Sequence, residues 1–339
     1  MPFLTEALPG TGGLLKTVPE DFVVEELPAY PASGEGTHTF LFIEKRALTT
    51  DEALSRLCAA LGVKRDDAGA AGSKDRQAVT RQWVSLPSVE PERAKALELD
   101  GIRVLEALRH GHKLRTGHLR GNRFTITVRG TTDGVERARA ILSSLAARGC
   151  ANLFGAQRFG ARGDNAEAGR RLLDGQGDRR LSRGQRRLMV SAYQASLFNR
   201  YLERRMADGL LHTALDGDVL KKTDSGGLFI VDDVAEAQTR LDAGALVVTG
   251  PMYGHKMLQP KEGSPSRARE DAILAEENLT EAAFGSLGKL AEGTRRALLC
   301  PLADVEVNEA GEPGAIAVSF VLPPGAYATV VLAEVMKHA

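Results

Sequence analysis

The chain has 339 residues, 43% of them apolar and 26% charged, with cations and anions in equal number. That length accommodates two domains with separate cores, and the composition is that of an ordinary soluble globular protein. No run approaches the ~20 apolar residues of a membrane span, and the opening MPFLTEALPGTGGLLK lacks a basic segment ahead of an apolar run, so it does not read as a signal peptide.

Taken in order, DFVVEEL reads as a short strand and THTFLFIEKR as a second, buried one. LTTDEALSRLCAALG is a helix: Thr49 and Glu52 have capping-box spacing, Leu54, Leu57 and Leu61 recur on one face, and Gly62 closes it. A turn, AAGSKDRQAV, leads into the strand RQWVSL. PERAKALEL is a helix opened by Pro91, NRFTITVRG alternates with Phe124, Ile126 and Val128 on one side, and DGVERARAILSSLAARG is amphipathic. This pattern predicts an α+β fold with largely antiparallel strands and helices on one face. Beyond residue 148 the texture turns glycine- and arginine-rich, followed by a long helix over SAYQASLFNRYLERRM, a strand in GALVVTGPMYGHK and a polar loop at KEGSPSRARED. The last stretch returns to the earlier style, with the strand GAIAVSFVL, a PPG break and the helix AYATVVLAEVMK.

Several motifs fail on inspection. GTGGLLKT is not a phosphate loop, because Lys16 follows Leu15 rather than glycine, and it reads as a flexible lead-in. His110 and His112 have no third ligand nearby and read as surface polar groups rather than a metal site. Cys58, Cys150 and Cys300 are odd in number and far apart, which supports neither a disulfide framework nor a zinc site, and a cytoplasmic setting is expected.

The zero net charge hides an uneven distribution. Arg148, Arg158, Arg162, Arg170, Arg171, Arg179, Arg180, Arg183, Arg186 and Arg187 face only Asp164, Glu167, Asp174 and Asp178 in the same window. Arg109, Lys113, Arg115, Arg120, Arg123 and Arg129 form a second stretch with no acid among them. One such cluster would read as a solvated face; two, rich in guanidinium forks, point towards phosphate. Within the turn, Asp75 lies between Lys74 and Arg76. Locally this is equally a salt-bridged connection or a carboxylate kept ionised beside a polyanion.

Six segments decide between these readings: LLKTVPEDFVVEEL, GSKDRQAVTRQW, GNRFTITV, NLFGAQRFG, SAYQASLFNRYL and LPPGAYATVVLAE. In this order, and spanning nearly the whole chain, they resemble the TruD family of tRNA pseudouridine synthases, and the length resembles its compact bacterial members. The resemblance implies an isomerase that detaches uracil from ribose, rotates it and rejoins it through C5, without metal, nucleotide or redox cofactor. It assigns the essential aspartate to Asp75, which either attacks the sugar or removes a proton. Phe22 matches the phenylalanine of the base pocket, where stacking is worth about 1–3 kcal/mol per base. Asn122 matches a substrate-contacting asparagine, whose amide can read the imide edge of uracil. Tyr327 stands where some relatives carry phenylalanine. Lys74, Arg76, Gln157 and Arg158 are candidate RNA contacts, while Phe154 and Phe159 read as packing.

The resemblance also implies an architecture: a circularly permuted pseudouridine-synthase domain with a mixed, mostly antiparallel sheet, formed by residues 1–147 and 302–339. An inserted α/β domain particular to the family would occupy 148–301, with the basic run at the junction. The implied partner is tRNA, with uridine 13 of the D arm as target and no obligate protein partner. The competing readings are a non-catalytic RNA-binding or tRNA-chaperone protein on the same fold and a metal-dependent nuclease. The nuclease requires clustered carboxylates that the sequence does not display.

Overall fold

The structure is a computed structural model and describes residues 2–178 and 180–338. Arg179 of the basic run therefore lies outside the described residues.

The chain opens with β1 (Phe22–Pro28) and β2 (His38–Arg46), then α1 (Thr50–Leu61), the short β3 (Gly69–Ala70) and β4 (Val79–Pro87). A single helical turn, α2 (Pro91–Lys95), precedes β5 (Ile102–His110), β6 (Leu119–Val128) and α3 (Gly134–Arg148). α1 begins as expected: Thr49 Oγ1 accepts from the Glu52 amide, Glu52 reaches back to Thr49, and Gly62 ends the helix at φ +73°. The helix expected over PERAKALEL stops at Lys95, well short of the predicted stretch.

A second set of elements follows: β7 (Cys150–Ala151), α4 (Asn165–Leu173), α5 (Arg183–Ala207), β8 (Val219–Lys222), β9 (Leu228–Ile230), α6 (Val234–Asp242), β10 (Leu246–Met252), α7 (Pro265–Glu276), β11 (Thr294–Ala297) and β12 (Leu299–Cys300). The chain closes with β13 (Ala303–Glu309), β14 (Ile316–Leu322) and α8 (Ala328–Met336). The polar loop expected at KEGSPSRARED is corrected to the start of α7. Ser264 caps that helix by accepting from the Arg267 amide, and Pro265 occupies the first turn, where no N–H is needed.

The larger sheet has eight strands in the order β13-β14-β6-β1-β4-β2-β5, with β3 added on β4. Its pairings are antiparallel except β1 with β4. β14 lies beside β6, so the end of the chain completes the sheet begun by its first half. On one face, Leu41, Ile43, Val84 and Leu86 pack with Leu54, Leu57 and Leu61 of α1. A second cluster joins Phe124, Ile126, Val318 and Phe320 to Ile141 and Leu142 of α3 and Val331, Leu332 and Val335 of α8. Each such side chain contributes about 1.5–3 kcal/mol when fully buried. The seam between the two clusters runs along the parallel β1–β4 pair, and the site described below occupies it.

A separate four-stranded sheet, β11-β10-β8-β9, packs on α5 through Phe198, Tyr201, Leu202, Leu220, Leu246 and Val248. Gly250 is required there by close approach, since a Cβ would come within 3.0 Å of Phe198, Tyr201 and Leu298. The chain leaves the larger sheet through β7 and returns through β12, and these two strands pair with each other, Cys150 opposite Cys300. The three cysteines are free and buried; burial pushes the Cys300 thiol up to about 11 and Cys150 higher still. No helix among the described residues is long and apolar enough to cross a membrane.

Candidate active site

Asp75 sits in the connection between β3 and β4, with its side chain 36% exposed. Two donors point at its carboxylate: Lys16 Nζ at 3.2 Å from Oδ2 and the Arg76 amide at 2.8 Å from Oδ1. The cation touching Asp75 is therefore Lys16, from the segment expected to be a flexible lead-in. That segment is tied down by the backbone bridge between Leu14 and Arg129 (2.8 and 3.1 Å), and Lys16 itself has a left-handed φ of +56°. A lysine held in that sparsely populated region costs of order 1–3 kcal/mol and persists only where its surroundings fix it. Its ammonium also lies 4.6 Å from the centroid of the Phe22 ring, linking Asp75, Lys16 and Phe22 in one line of contacts.

Neither neighbouring cation, Lys74 nor Arg76, pairs its side chain with the Asp75 carboxylate. Successive side chains on an irregular turn point apart, and each cation finds its own acid. Arg76 pairs with Glu52, the capping residue of α1. Lys74 Nζ donates to Glu26 Oε2 at 2.5 Å, with side chains 7% and 1% exposed. Glu26 also accepts from the Trp83 amide at 3.3 Å, and burial raises its carboxyl above the usual range against the opposing pull of Lys74. The Lys74 amide donates to Thr50 Oγ1. Lys74 thus ties the turn to β1 through its ammonium and to α1 through its amide.

Beneath the turn, the fully buried Lys45 donates to the carbonyls of Asp75 (2.9 Å) and Leu48 (2.5 Å). Burial brings its ammonium down to about 8 from an ordinary 10.5, with Asp75 opposing the shift and Lys74 adding to it. A folded-state value below the unfolded one means the unfolded chain binds more protons in this interval. Stability is therefore expected to rise between about pH 8 and about pH 10.5, relative to a Lys45→Met variant. Parallel denaturant titrations of both proteins across that window check it; a difference that does not change with pH contradicts the assignment.

Asn122, on β6, stands opposite Glu26 of β1 and Leu322 of β14, and its Oδ1 is buried with no hydrogen-bond partner among the described residues. Such an orphaned acceptor calls for an explanation. Phe22 is 5% exposed and packs edge-to-face on Phe124. The structure brings Asp75, Phe22 and Asn122 to the same seam, with Lys16 and Glu26 between them.

Tyr327 lies apart from this group, at the start of α8, on the β14 side of the seam. Its ring meets Phe154 at 5.9 Å, and burial raises its phenol above the usual range, with Arg158 and Arg296 opposing. Arg296 binds the Asn152 and Gly325 carbonyls and lies 4.0 Å from the Phe154 ring; burial lowers it to about 10. Phe154 packs on Phe198 as expected of a core aromatic. Arg158 bonds Ser191 and lies over Phe154, while Gln157 is exposed. In the basic run, Arg162, Arg170 and Arg171 are paired with carboxylates, whereas Arg148, Arg180, Arg183 and Arg187 have none among the described residues.

His110 departs from its expected surface role. It is buried against Phe40 and Tyr30, accepts from the Ser33 amide and lies 3.2 Å from His112. Among the described residues, no three of His, Cys, Asp and Glu converge as metal ligands.

With this geometry in place, the sequence profile described as tRNA pseudouridine synthase D (TruD) matches residues 1–179 and 176–335. The chain belongs to the TruD family. A tRNA pseudouridine synthase D from Anaeromyxobacter sp. (strain Fw109-5) is 50% identical, covering 99% of this chain and 96% of the relative. One from Thermus thermophilus is 44% identical, covering 99% and 92%. A crystal structure from Methanosarcina mazei, described as a candidate TruD protein, matches with a TM-score of 0.80 at 24% identity, covering 99% of this chain and 96% of that one. That likeness establishes the TruD fold, the mixed and mostly antiparallel sheet expected from the sequence. Sequence reasoning missed Lys16, Glu26 and Lys45 around Asp75, and Arg296 beside Tyr327. Glu26 and Lys45 did carry a signal, since each falls on the apolar side of an alternating strand.

Proposed function

We propose that this chain converts uridine to pseudouridine in tRNA, at position 13 of the D arm, with Asp75 as the catalytic carboxylate. The single observation that carries this reading is the contact of Asp75 with Lys16, in a seam where the Asn122 acceptor is buried and unpaired. Asn122 Oδ1 would accept from the imide N–H of a flipped uracil, and the Phe22 ring would floor the pocket beside it. Extruding the base costs a few kcal/mol, which backbone contacts must offset. The reaction breaks the C1′–N1 bond, forms C1′–C5, and moves the C5 proton to solvent while N1 gains one. Atoms and oxidation state balance without a cofactor. Asp75 acts either by attacking C1′ or by removing a proton from the sugar.

Residues 148–301 are proposed as a unit inserted into a catalytic body of residues 1–147 and 302–339. In support, every strand of the larger sheet comes from either side of that stretch. Tyr327, Gln157 and Arg158 would then line the cleft between the two, and Arg76 its rim. Lys74 reaches RNA only by leaving Glu26; in this conformation it positions the turn. Incubating purified protein with unmodified tRNA and mapping pseudouridine tests the reading. Modification at uridine 13 is expected; modification elsewhere overturns the position, and none overturns the activity. Arg158→Ala is expected to weaken tRNA binding and lower the log–log salt slope by about one. Filter binding across a salt series checks it, and an unchanged slope removes Arg158 from the cleft.

A further inference from the structure

Beside the Asp75 turn lies a cavity of about 460 Å³, bounded by the first turns of α1, by β3 and by the connection from β5 to β6. Its floor includes the apolar Leu54 and Leu114, and its wall includes Ser73. Three cations, Arg65, Lys113 and Arg115, line it against one acid, Asp51.

Three of the other arginines in this basic stretch are paired with carboxylates, whereas Arg120 is exposed and has no salt bridge among the described residues. Arg109 pairs with Glu90, Arg123 with Asp304, and Arg129 with Asp21 and Glu312. Among the described residues, the Lys113 ammonium has only the Asp66 carbonyl at 2.5 Å, and the exposed guanidinium of Arg115 has neither a hydrogen bond nor a salt bridge. Arg65 takes Asp51 at 2.6 Å but keeps a buried Nε–H without a partner. Lys113 and Arg115 therefore leave positive charge without a carboxylate partner among the described residues, around an apolar floor.

We infer that this cavity holds one nucleotide of the RNA strand flanking the target uridine, its base over Leu54 and Leu114 and its phosphodiester on Lys113 and Arg115. The volume lies within the range of small-molecule sites, and the guanidinium of Arg115 offers the fork that phosphate oxygens accept. Consecutive Cα atoms are about 3.8 Å apart, so Ser73 on the cavity wall and Asp75 are within about one nucleotide's reach. The inference rests on the proposed action on tRNA and adds to it a second grip, next to the Asp75 turn at Gly72 and Ser73.

The test is filter binding of a tRNA transcript across a salt series, with ethylation interference on the same RNA. Arg115→Ala is expected to raise Kd roughly tenfold at 0.1 M salt and to lower the log–log slope by about one. It should also erase one ethylation-sensitive phosphate near the target that the wild type displays. Arg115→Lys should restore the slope, and Arg269→Ala, whose arginine is already paired with Asp208, should match the wild type. If the wild type forms pseudouridine but Arg115→Ala keeps its affinity, slope and interference pattern, the cavity is not an RNA site. If the wild type forms none yet Arg115→Ala still loses slope and the phosphate signal, the cavity stands and the proposed chemistry falls.

Discussion

Asp75→Asn is expected to lower pseudouridine formation by about 10³-fold or more, with tRNA affinity unchanged or slightly higher. The substitution keeps the shape of a side chain that is partly exposed, so the turn has little reason to collapse. It also removes one negative charge from a surface that receives a polyanion, which disfavours any loss of binding. Both carboxylate oxygens currently accept a hydrogen bond, one from Lys16 and one from the Arg76 amide. An amide has one acceptor oxygen, so one of these donors must face an NH₂ group, and the group left behind is neither a nucleophile nor a base. Single-turnover assays on the purified variant, free of wild-type enzyme, decide the matter. Near-normal turnover would remove Asp75 from the chemistry. Binding without turnover would also separate this reading from an RNA chaperone, whose work should survive the substitution.

The second large effect is expected on stability, from Lys74→Met. Breaking a buried ion pair by removing one partner typically costs 3–5 kcal/mol, because the other charge is left uncompensated. Glu26 would be that charge, 1% exposed and already pushed upward by burial. Its folded-state value lies above its unfolded value, so the stability it contributes is fully present below about pH 4.5 and is lost as pH rises through the folded value. Without Lys74 the folded value climbs further, and the gap between variant and wild type widens with pH. The deficit should therefore be large at pH 7 and shrink as pH falls below about 4.5, where Glu26 becomes protonated in the folded and the unfolded chain alike. Glu26→Gln combined with Lys74→Met should recover much of the loss at pH 7. Urea titrations at several pH values check this; a deficit of constant size would mean that packing, not charge, holds the turn.

The readable parts of this fold were those where local chemistry and tertiary packing agree. α1 was legible to the residue because its cap, apolar face and closing glycine all belong to one short segment. β14 and α8 were legible as elements but not as neighbours of β6 and α3, since strand alternation carries no information about which distant strand lies alongside. α7 was missed because Ser, Pro, Arg and Glu are equally at home in a polar loop, and what makes them helical is Ser264 capping a segment packed on α5. The site divides in the same way. Asp75 was visible as an oddly placed acid, yet its partner was sought next door and found in Lys16, in a segment with no periodicity to mark it. Glu26 and Lys45 were there to be read as charges on buried strand faces, which only paired or hydrogen-bonded groups can occupy.

The β7–β12 ladder has a mechanical consequence. Two unpaired crossings between the sheets would act as loose strings and leave the second sheet free to twist, slide and tilt. Zipped together at Cys150 and Cys300, they form a single two-ply strip. A strip of that kind flexes across its thin face much more easily than it shears within its plane. Were residues 148–301 to move as the proposed unit, such a strip would favour one swing over the others, and Arg296, bonded to the Asn152 and Gly325 carbonyls, would lie beside it. A pair of units with one soft coordinate would surrender less freedom on binding the proposed RNA than a pair with several, so less of the grip would be consumed in holding the two sides still.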